Sequence, residues 1–223
     1  MTKFKICGIK DAMHARIAAE VGADFIGFVF VPGVRRQITF EQAKSILLEY
    51  RSSFSVDGPK LVGLFLNQSV QLVNRIVEEC RLDMVQLCGN EPPEYWSQII
   101  VPIVKQIKIR DDNPLDQSVA ETEAQIVKVE SAHQIPLLDK YINDHVGGGS
   151  GLAFDWNVAA GLSPRHDFLL AGGLKPNNVL QAIVSVNPWA VDVSSGVETR
   201  GVKDPKKIKD FADAVREADL AIN

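Results

Sequence analysis

The chain has few cysteines, and their arrangement fits neither a disulfide framework nor a zinc site. The three cysteines of the 223 residues are Cys7, Cys80 and Cys88, an odd number at wide spacings. A disulfide framework needs paired cysteines, and structural zinc sites contain short C-x-x-C spacings. We therefore expect free thiols and a cytoplasmic location, because thiols stay reduced there.

A long apolar run and an excess of positive charge are also absent. The longest apolar stretch, residues 25–31, is far shorter than the ~20 residues that span a bilayer. The first residues, MTKFK, lack the apolar segment of a signal peptide. The formal net charge is −4, whereas a nucleic-acid-binding domain normally carries a basic excess. We expect neither a membrane nor a nucleic acid as a partner.

What the sequence does contain is a repeated unit of a short apolar run, a turn and a helical pattern. Residues typical of helix starts lie between the runs: Asp11, a capping box of Thr39 and Gln42, and Asp204 followed by Pro205. Eight runs are predicted to be strands, at residues 3–7, 25–31, 61–66, 84–87, 103–109, 135–138, 168–171 and 190–193.

Eight strand–helix units in a chain of this length predict an α/β protein, a single-domain (β/α)8 TIM barrel over residues 1–223. Continuous apolar strands are typical of a sheet that is buried on both faces. The alternative is an open, doubly wound sheet. It is disfavoured because no G-x-G-x-x-G motif follows the first strand.

The ends of strands seven and eight suggest a phosphate site. In such barrels the functional groups lie at the carboxyl ends of the strands, and backbone N–H groups after strands seven and eight frequently bind a phosphate. Glycine lets the backbone approach the anion closely, and serine adds a hydroxyl donor. Either stretch alone is ordinary turn sequence, but together they predict phosphate binding by Gly172, Gly173, Ser194, Ser195 and Gly196.

Three further strand ends carry groups with possible chemical roles. Cys7 ends strand one and Asp139 follows strand six, so one group can remove a proton while the other supplies one. Buried cysteines also commonly just pack, and aspartates commonly cap loops. Arg35 and Arg36 follow strand two. They are either a solvated pair of charges or a site where an arginine binds a carboxylate through two hydrogen bonds. No metal site is predicted, because no strand ends in a histidine.

The sequence resembles the phosphoribosylanthranilate isomerase family over nearly its whole length. Each matching segment is short, but all of them occur in the family's order. They are Lys5-Ile6-Cys7-Gly8-Ile9, Gly27-Phe28-Val29-Phe30, Val85-Gln86-Leu87, Leu137-Leu138-Asp139, Gly148-Gly149-Ser150-Gly151 with Phe154-Asp155-Trp156, Ala171-Gly172-Gly173-Leu174, and Val191-Asp192-Val193-Ser194-Ser195-Gly196-Val197-Glu198.

The resemblance implies an Amadori rearrangement of N-(5-phosphoribosyl)anthranilate to 1-(2-carboxyphenylamino)-1-deoxyribulose 5-phosphate in tryptophan biosynthesis. The family's base corresponds to Cys7 and its acid to Asp139. Its carboxylate-binding arginine corresponds to Arg36, and a residue near the sugar hydroxyls corresponds to Asp192. Its phosphate loops correspond to the glycines and serines named above. A free cysteine titrates near ~8.5, so modest stabilisation of the thiolate would suit the base.

The implied reaction has no hydride or radical step, so no cofactor is expected. We expect a small phosphosugar–anthranilate molecule as the substrate and a monomer or homodimer as the assembly. One departure from the family is Cys88, which stands where a histidine is usual after strand four.

Three other functions fit part of the pattern. A metal-dependent phosphosugar epimerase shares the barrel but needs histidine ligands at strand ends. A catalytically silent phosphate-binding protein would need the phosphate loops but neither Cys7 nor Asp139. Isomerases of histidine biosynthesis have similar phosphate loops but use paired aspartates on strands one and five.

Overall fold

A computed structural model describes residues 1–53, 58–110, 113–140 and 155–222. Within these ranges, eight parallel strands form a closed barrel in sequence order, and the last strand pairs with the first. The strands are β1 (Lys3–Cys7), β2 (Phe25–Val29), β3 (Lys60–Phe65), β4 (Met84–Leu87), β5 (Ile103–Ile109), β6 (Ile135–Lys140), β7 (Leu169–Leu170) and β8 (Ala190–Val193). This confirms the predicted (β/α)8 barrel and excludes the open sheet.

Helices connect the strands, and several begin at the predicted residues. The Asp11 side chain accepts a hydrogen bond from the His14 backbone, and Thr39 and Gln42 bond reciprocally. None of the described helices is long and apolar enough to cross a membrane. The helices are α1 (Ala12–Glu20), α2 (Phe40–Ser53), α3 (Val70–Cys80), α4 (Pro93–Trp96), α5 (Leu115–Ser131), α6 (Trp156–Ala160), α7 (Val179–Val186) and α8 (Pro205–Ile222).

Two short elements follow β8 and belong to the mouth of the barrel. A 3-10 helix covers Ser195–Val197, and an antiparallel pair follows, formed by β9 (Glu198–Thr199) and β10 (Val202–Lys203). The sequence did not predict this pair, because each strand has only two residues and neither is an apolar run.

Some predicted boundaries differ from the observed ones. β6 continues to Lys140 because it stays in register with β5 up to Ile109, so Asp139 lies inside the strand rather than after it. α4 is a single turn that ends at Trp96. The glycine-rich segment 147–151 lies outside the described residues, and the assignment of 1–223 to one domain stays a prediction.

Side chains alternate along each strand between the barrel interior and the helix layer. In β1, Phe4 and Ile6 pack towards the helices, whereas Cys7 belongs to the interior cluster. Other strand residues of the interior cluster are Phe25, Val29, Val62, Leu64, Met84, Val104, Leu137, Leu169 and Ala190. The same alternation directs polar residues of these apolar strands into the barrel, and those residues form the site.

A buried ion pair ties the loop after β4 to β5. Lys105 Nζ donates to Glu91 Oε2 at 2.7 Å, and the two side chains are 9% and 1% exposed. The same carboxylate accepts hydrogen bonds from the backbone of Asn67 and Gly89. Removing one partner of such a pair leaves an unpaired buried charge, which is strongly destabilising.

We therefore expect Glu91→Gln to lower the free energy of unfolding by about 3–5 kcal/mol. Urea unfolding monitored by circular dichroism measures the change. Glu79→Gln is the matched control, because Glu79 pairs with Arg75 and Lys44 on the exposed surface and should lose much less. Equal losses in the two variants would contradict the importance of the buried pair.

Candidate active site

A lysine lies at the centre of the barrel interior. Lys5 is fully buried, and its Nζ donates to Asp192 Oδ1 at 2.9 Å and to Gln86 Oε1 at 2.8 Å. Lys5 and Asp192 are register partners on the adjacent strands β1 and β8. Burial alone would lower the pKa of Lys5, but the negative charge of Asp192 and its hydrogen bond to Lys5, together with the contact with Cys7, outweigh burial and raise it. Lys5 therefore remains a cation.

Cys7 lies two residues after Lys5, on the same inward face and also buried. Its register partner in β2 is Gly27, where an added Cβ would lie 2.9 Å from Cys7 Sγ. Glycine at that position leaves room for the thiol. Burial raises the pKa of the Cys7 thiol, and the charges of Lys5 and Lys203 only partly oppose this. The expected stabilisation of the thiolate is therefore outweighed by burial in the structure.

Asp139 is a buried carboxyl group with two hydrogen-bond donors. Gln106 Nε2 donates to Oδ2 at 2.8 Å, and the backbone N–H of Lys140 donates to Oδ1 at 2.8 Å. Burial raises the pKa of Asp139 to about 6, although both hydrogen bonds oppose the shift. The group can therefore both give and take a proton near neutral pH.

The two predicted phosphate loops lie against each other. Gly172 and Gly173 have φ values of 84° and 67°, which favour glycine. An added Cβ at Gly196 would lie 1.9 Å from the carbonyl oxygen of Leu174, so the loops after β7 and β8 touch through backbone. Ser194 Oγ donates to the Cys7 carbonyl oxygen at 3.1 Å and links this region to β1.

Arg36 pairs with a carboxylate that the sequence did not single out, that of Glu198. Arg36 Nε donates to Glu198 Oε1 at 2.6 Å, and Arg36 Nη2 donates to Oε2 at 3.1 Å. Arg35 Nη2 reaches Oε2 at 2.6 Å, and Lys203 Nζ reaches Oε1 at 3.1 Å. Burial opposes ionisation, but Arg36 and Lys203 lower the pKa of Glu198 to about 2.

The two adjacent arginines differ in burial. The Arg36 side chain is 14% exposed and that of Arg35 is 54% exposed. Arg36 also packs on Gly8, where an added Cβ would lie 2.5 Å from Arg36 Cδ. Arg36 is therefore the arginine that lies against Gly8, directly after Cys7.

The structure adds functional candidates that sequence reasoning missed. Lys5, Gln86 and Gln106 are polar residues in apolar strands, and period-2 alternation from Cys7 or Asp139 offered a signal for them. Glu198 and Lys203 follow the last barrel strand and had no such signal. The described residues hold no group of three histidine, cysteine or acidic side chains that could bind a metal.

Cys88 lies next to this polar interior. It is buried, its Sγ accepts a hydrogen bond from Gln86 Nε2 at 3.5 Å, and burial raises the pKa of the thiol to about 12. A thiol with this pKa stays protonated at neutral pH.

Comparison with known proteins gives a consistent result. Residues 4–214 match the family model described as N-(5'phosphoribosyl)anthranilate (PRA) isomerase. A Dehalococcoides mccartyi protein named N-(5'-phosphoribosyl)anthranilate isomerase is 40% identical over 221 residues, which cover 98% of each chain. A crystal structure of the Thermotoga maritima phosphoribosyl anthranilate isomerase has a TM-score of 0.82 at 33% identity, covering 97% of this chain and 100% of that chain.

A further similar structure contains a ligand. It is a phosphoribosyl anthranilate isomerase in complex with reduced 1-(o-carboxyphenylamino)-1-deoxyribulose 5-phosphate. It is 31% identical to this chain, with a TM-score of 0.79 over 97% of this chain and 100% of that chain.

The raised pKa of Asp139 predicts a pH dependence of stability. The pKa is about 6 in the folded protein against an ordinary value of 3.8, so folding favours the protonated form. This stabilisation is fully present below pH 3.8 and is lost as the pH rises through 6. Relative to Asp139→Asn, the parent should lose about 3 kcal/mol of unfolding free energy between about pH 3.5 and pH 7.5. Urea unfolding of both proteins across this range measures the difference, and a difference independent of pH would refute the assignment.

Proposed function

This chain belongs to the N-(5'-phosphoribosyl)anthranilate isomerase family, and from that premise we propose that it rearranges N-(5-phosphoribosyl)anthranilate to 1-(2-carboxyphenylamino)-1-deoxyribulose 5-phosphate in tryptophan biosynthesis. The family assignment confirms the resemblance found in the sequence. The observation that carries the proposal is the polar interior of the barrel. It joins Cys7 to the Lys5–Asp192 pair in a barrel that also directs Asp139 inwards.

The proposed reaction begins with the opening of the sugar ring. The protonated carboxyl of Asp139 gives its proton to the furanose oxygen, the C1–O bond breaks, and the nitrogen lone pair forms a Schiff base with C1. Asp139 is left as a carboxylate. A pKa of about 6 supports this role, because the group can be protonated near neutral pH.

Proton removal from C2 follows. The Cys7 thiolate takes the C2 proton, the C–H electrons form the C1=C2 bond, and the nitrogen recovers its lone pair. The resulting enolamine tautomerises when C1 gains a proton and the C2 hydroxyl loses one. The product is the open-chain ketone. The step needs no external oxidant, because C1 is reduced as C2 is oxidised.

Binding is proposed to use three groups around this centre. The loops with Gly172, Gly173 and residues 194–196 take the phosphate, supported by their mutual contact and by positive φ at both glycines. Arg36 takes the anthranilate carboxylate, supported by its burial beside Gly8. Asp192 is proposed to approach the sugar hydroxyls from its place beside Lys5.

We propose that the protein works in the cytoplasm as a monomer or homodimer and acts without a cofactor. All three cysteines are buried free thiols, which suits a reducing compartment. The substrate is a small molecule, so no macromolecular partner is needed for the chemistry.

The role of Cys7 predicts a large loss of activity on substitution. Cys7→Ala should lower kcat by about 10²–10⁴ because the proton acceptor is missing, while product affinity should change little. The assay follows the loss of fluorescence of freshly generated phosphoribosylanthranilate. Cys80→Ala is the matched control, since Cys80 is a buried thiol in the helix layer. Turnover of Cys7→Ala within tenfold of the parent would remove this role.

The burial of Arg36 predicts that the two adjacent arginines differ in function. Arg36→Met should cost about 1.5–3 kcal/mol of product binding, roughly ten- to a hundredfold in affinity, because a bidentate pair is lost. Arg36→Lys should recover only part of it, because lysine lacks the planar fork. Arg35→Met should change affinity by less than about threefold. Calorimetry measures the product affinity of the three variants. A larger loss of affinity in Arg35→Met than in Arg36→Met would assign carboxylate binding to Arg35 instead.

A further inference from the structure

We propose that Glu198 is a positioning residue for substrate binding: it holds one edge of the Arg36 guanidinium so that the other edge faces the carboxylate of the substrate. The inference rests on the proposed function, in which Arg36 binds that carboxylate. It concerns a residue that does not itself touch the reacting atoms.

The hydrogen bonds of Arg36 leave one edge of the guanidinium unused by Glu198. Glu198 accepts from Nε and from Nη2, which lie on one side of the planar group. A guanidinium has five N–H donors in a fixed fork. The second N–H of Nη2 and both of Nη1 remain, and one from each nitrogen gives the parallel pair that a second carboxylate accepts.

The aliphatic part of the Arg36 side chain is held in place as well as its guanidinium group. Arg36 Cδ lies where a side chain at Gly8 would have to be, so the arginine crosses the loop directly after Cys7. Gly8 has a φ of 78°, a conformation that L side chains rarely adopt. Because the aliphatic part packs on Gly8 and one edge of the guanidinium is bonded to Glu198, Arg36 loses little conformational entropy when a ligand binds.

Two carboxylates on one guanidinium would repel each other without further positive charge. Lys203 supplies it: its side chain is buried and donates to Glu198 Oε1 at 3.1 Å. Arg35 supplies more from the solvent side. Three cations around one carboxylate leave an excess of two positive charges, of which the carboxylate of a bound substrate neutralises one. Glu198 thus orients Arg36 without neutralising the subsite.

The same contacts permit an opposite role, in which Glu198 competes with the substrate for Arg36. The two roles predict opposite changes in the affinity for a carboxylated ligand when Glu198 is replaced. Removing a competitor tightens the binding of a carboxylated ligand, whereas removing a positioning group weakens it. The observed geometry favours positioning, because Glu198 occupies the Nε edge and leaves the terminal edge for the ligand.

The test measures binding of two probes to Glu198→Gln and Glu198→Asp. One probe is reduced 1-(2-carboxyphenylamino)-1-deoxyribulose 5-phosphate, and the other is the same compound without the ring carboxyl. Glu198→Gln should raise the Kd of the carboxylated probe about tenfold or more and leave that of the other within about twofold. KM should rise similarly, with kcat within about threefold of the parent.

Glu198→Asp keeps the negative charge but is shorter by one methylene. Glu198→Asp should weaken binding of the carboxylated probe less than Glu198→Gln does. If Glu198→Gln does not fold, the two probes are compared on Glu198→Asp instead. Glu79→Gln, which removes a surface carboxylate paired with Arg75 and Lys44, is the matched control and should bind both probes like the parent.

Unchanged or tighter binding of the carboxylated probe would overturn the inference, and so would equal weakening of both probes, which indicates a merely structural role. Arg36→Met separates this failure from failure of the proposed function. If Arg36→Met weakens only the carboxylated probe and Glu198→Gln does not, the positioning role alone is wrong. If Arg36→Met does not discriminate between the probes, the carboxylate role of Arg36 is wrong and the positioning role falls with it.

Discussion

The interior of the barrel depends on one buried cation, the ammonium of Lys5. A charge in such surroundings costs several kcal/mol unless it is paired and hydrogen-bonded. Asp192 from the neighbouring strand supplies the charge, and Gln86 reaches Lys5 from β4 and also donates to Cys88. These groups are hydrogen-bonded to one another and form a polar layer next to Cys7. Cys7 therefore does not lie in a purely apolar core.

Burial raises the pKa of both proposed proton-transfer groups, which favours the protonated form that Asp139 needs as the acid and disfavours the thiolate that Cys7 needs as the base. It raises the pKa of the Cys7 thiol above its usual range and that of Asp139 to about 6. At neutral pH the proton therefore resides mainly on the Cys7 sulfur and the negative charge on Asp139. The proposed reaction needs a Cys7 thiolate and a protonated Asp139, which is the less populated arrangement. The free energy needed to reach it grows with the difference between the two pKa values. Lys5 and Lys203 reduce this cost, because both cations favour the thiolate.

The barrel could be predicted from the sequence because strands buried on both faces are continuous apolar runs, and such runs do not depend on distant contacts. The sixth strand was predicted to end two residues too early, before Asp139, since the register with β5 continues the strand through Asp139 and Lys140. The choice between Arg35 and Arg36 needed the resemblance, because loop backbone has no fixed alternation. Glu198 was missed because its importance comes from contacts with residues about 160 positions away.

Lys203 connects the proposed binding residues to Cys7 at the mouth of this barrel. Its ammonium donates to Glu198, which accepts hydrogen bonds from Arg36, and to the carbonyl oxygen of Ser194 in the proposed phosphate loop. Its charge also lowers the pKa of the Cys7 thiol against the effect of burial. Burial lowers the pKa of Lys203 itself, and Glu198 opposes that shift. The carboxylate that is proposed to orient Arg36 thus also pairs with a cation whose charge favours the Cys7 thiolate.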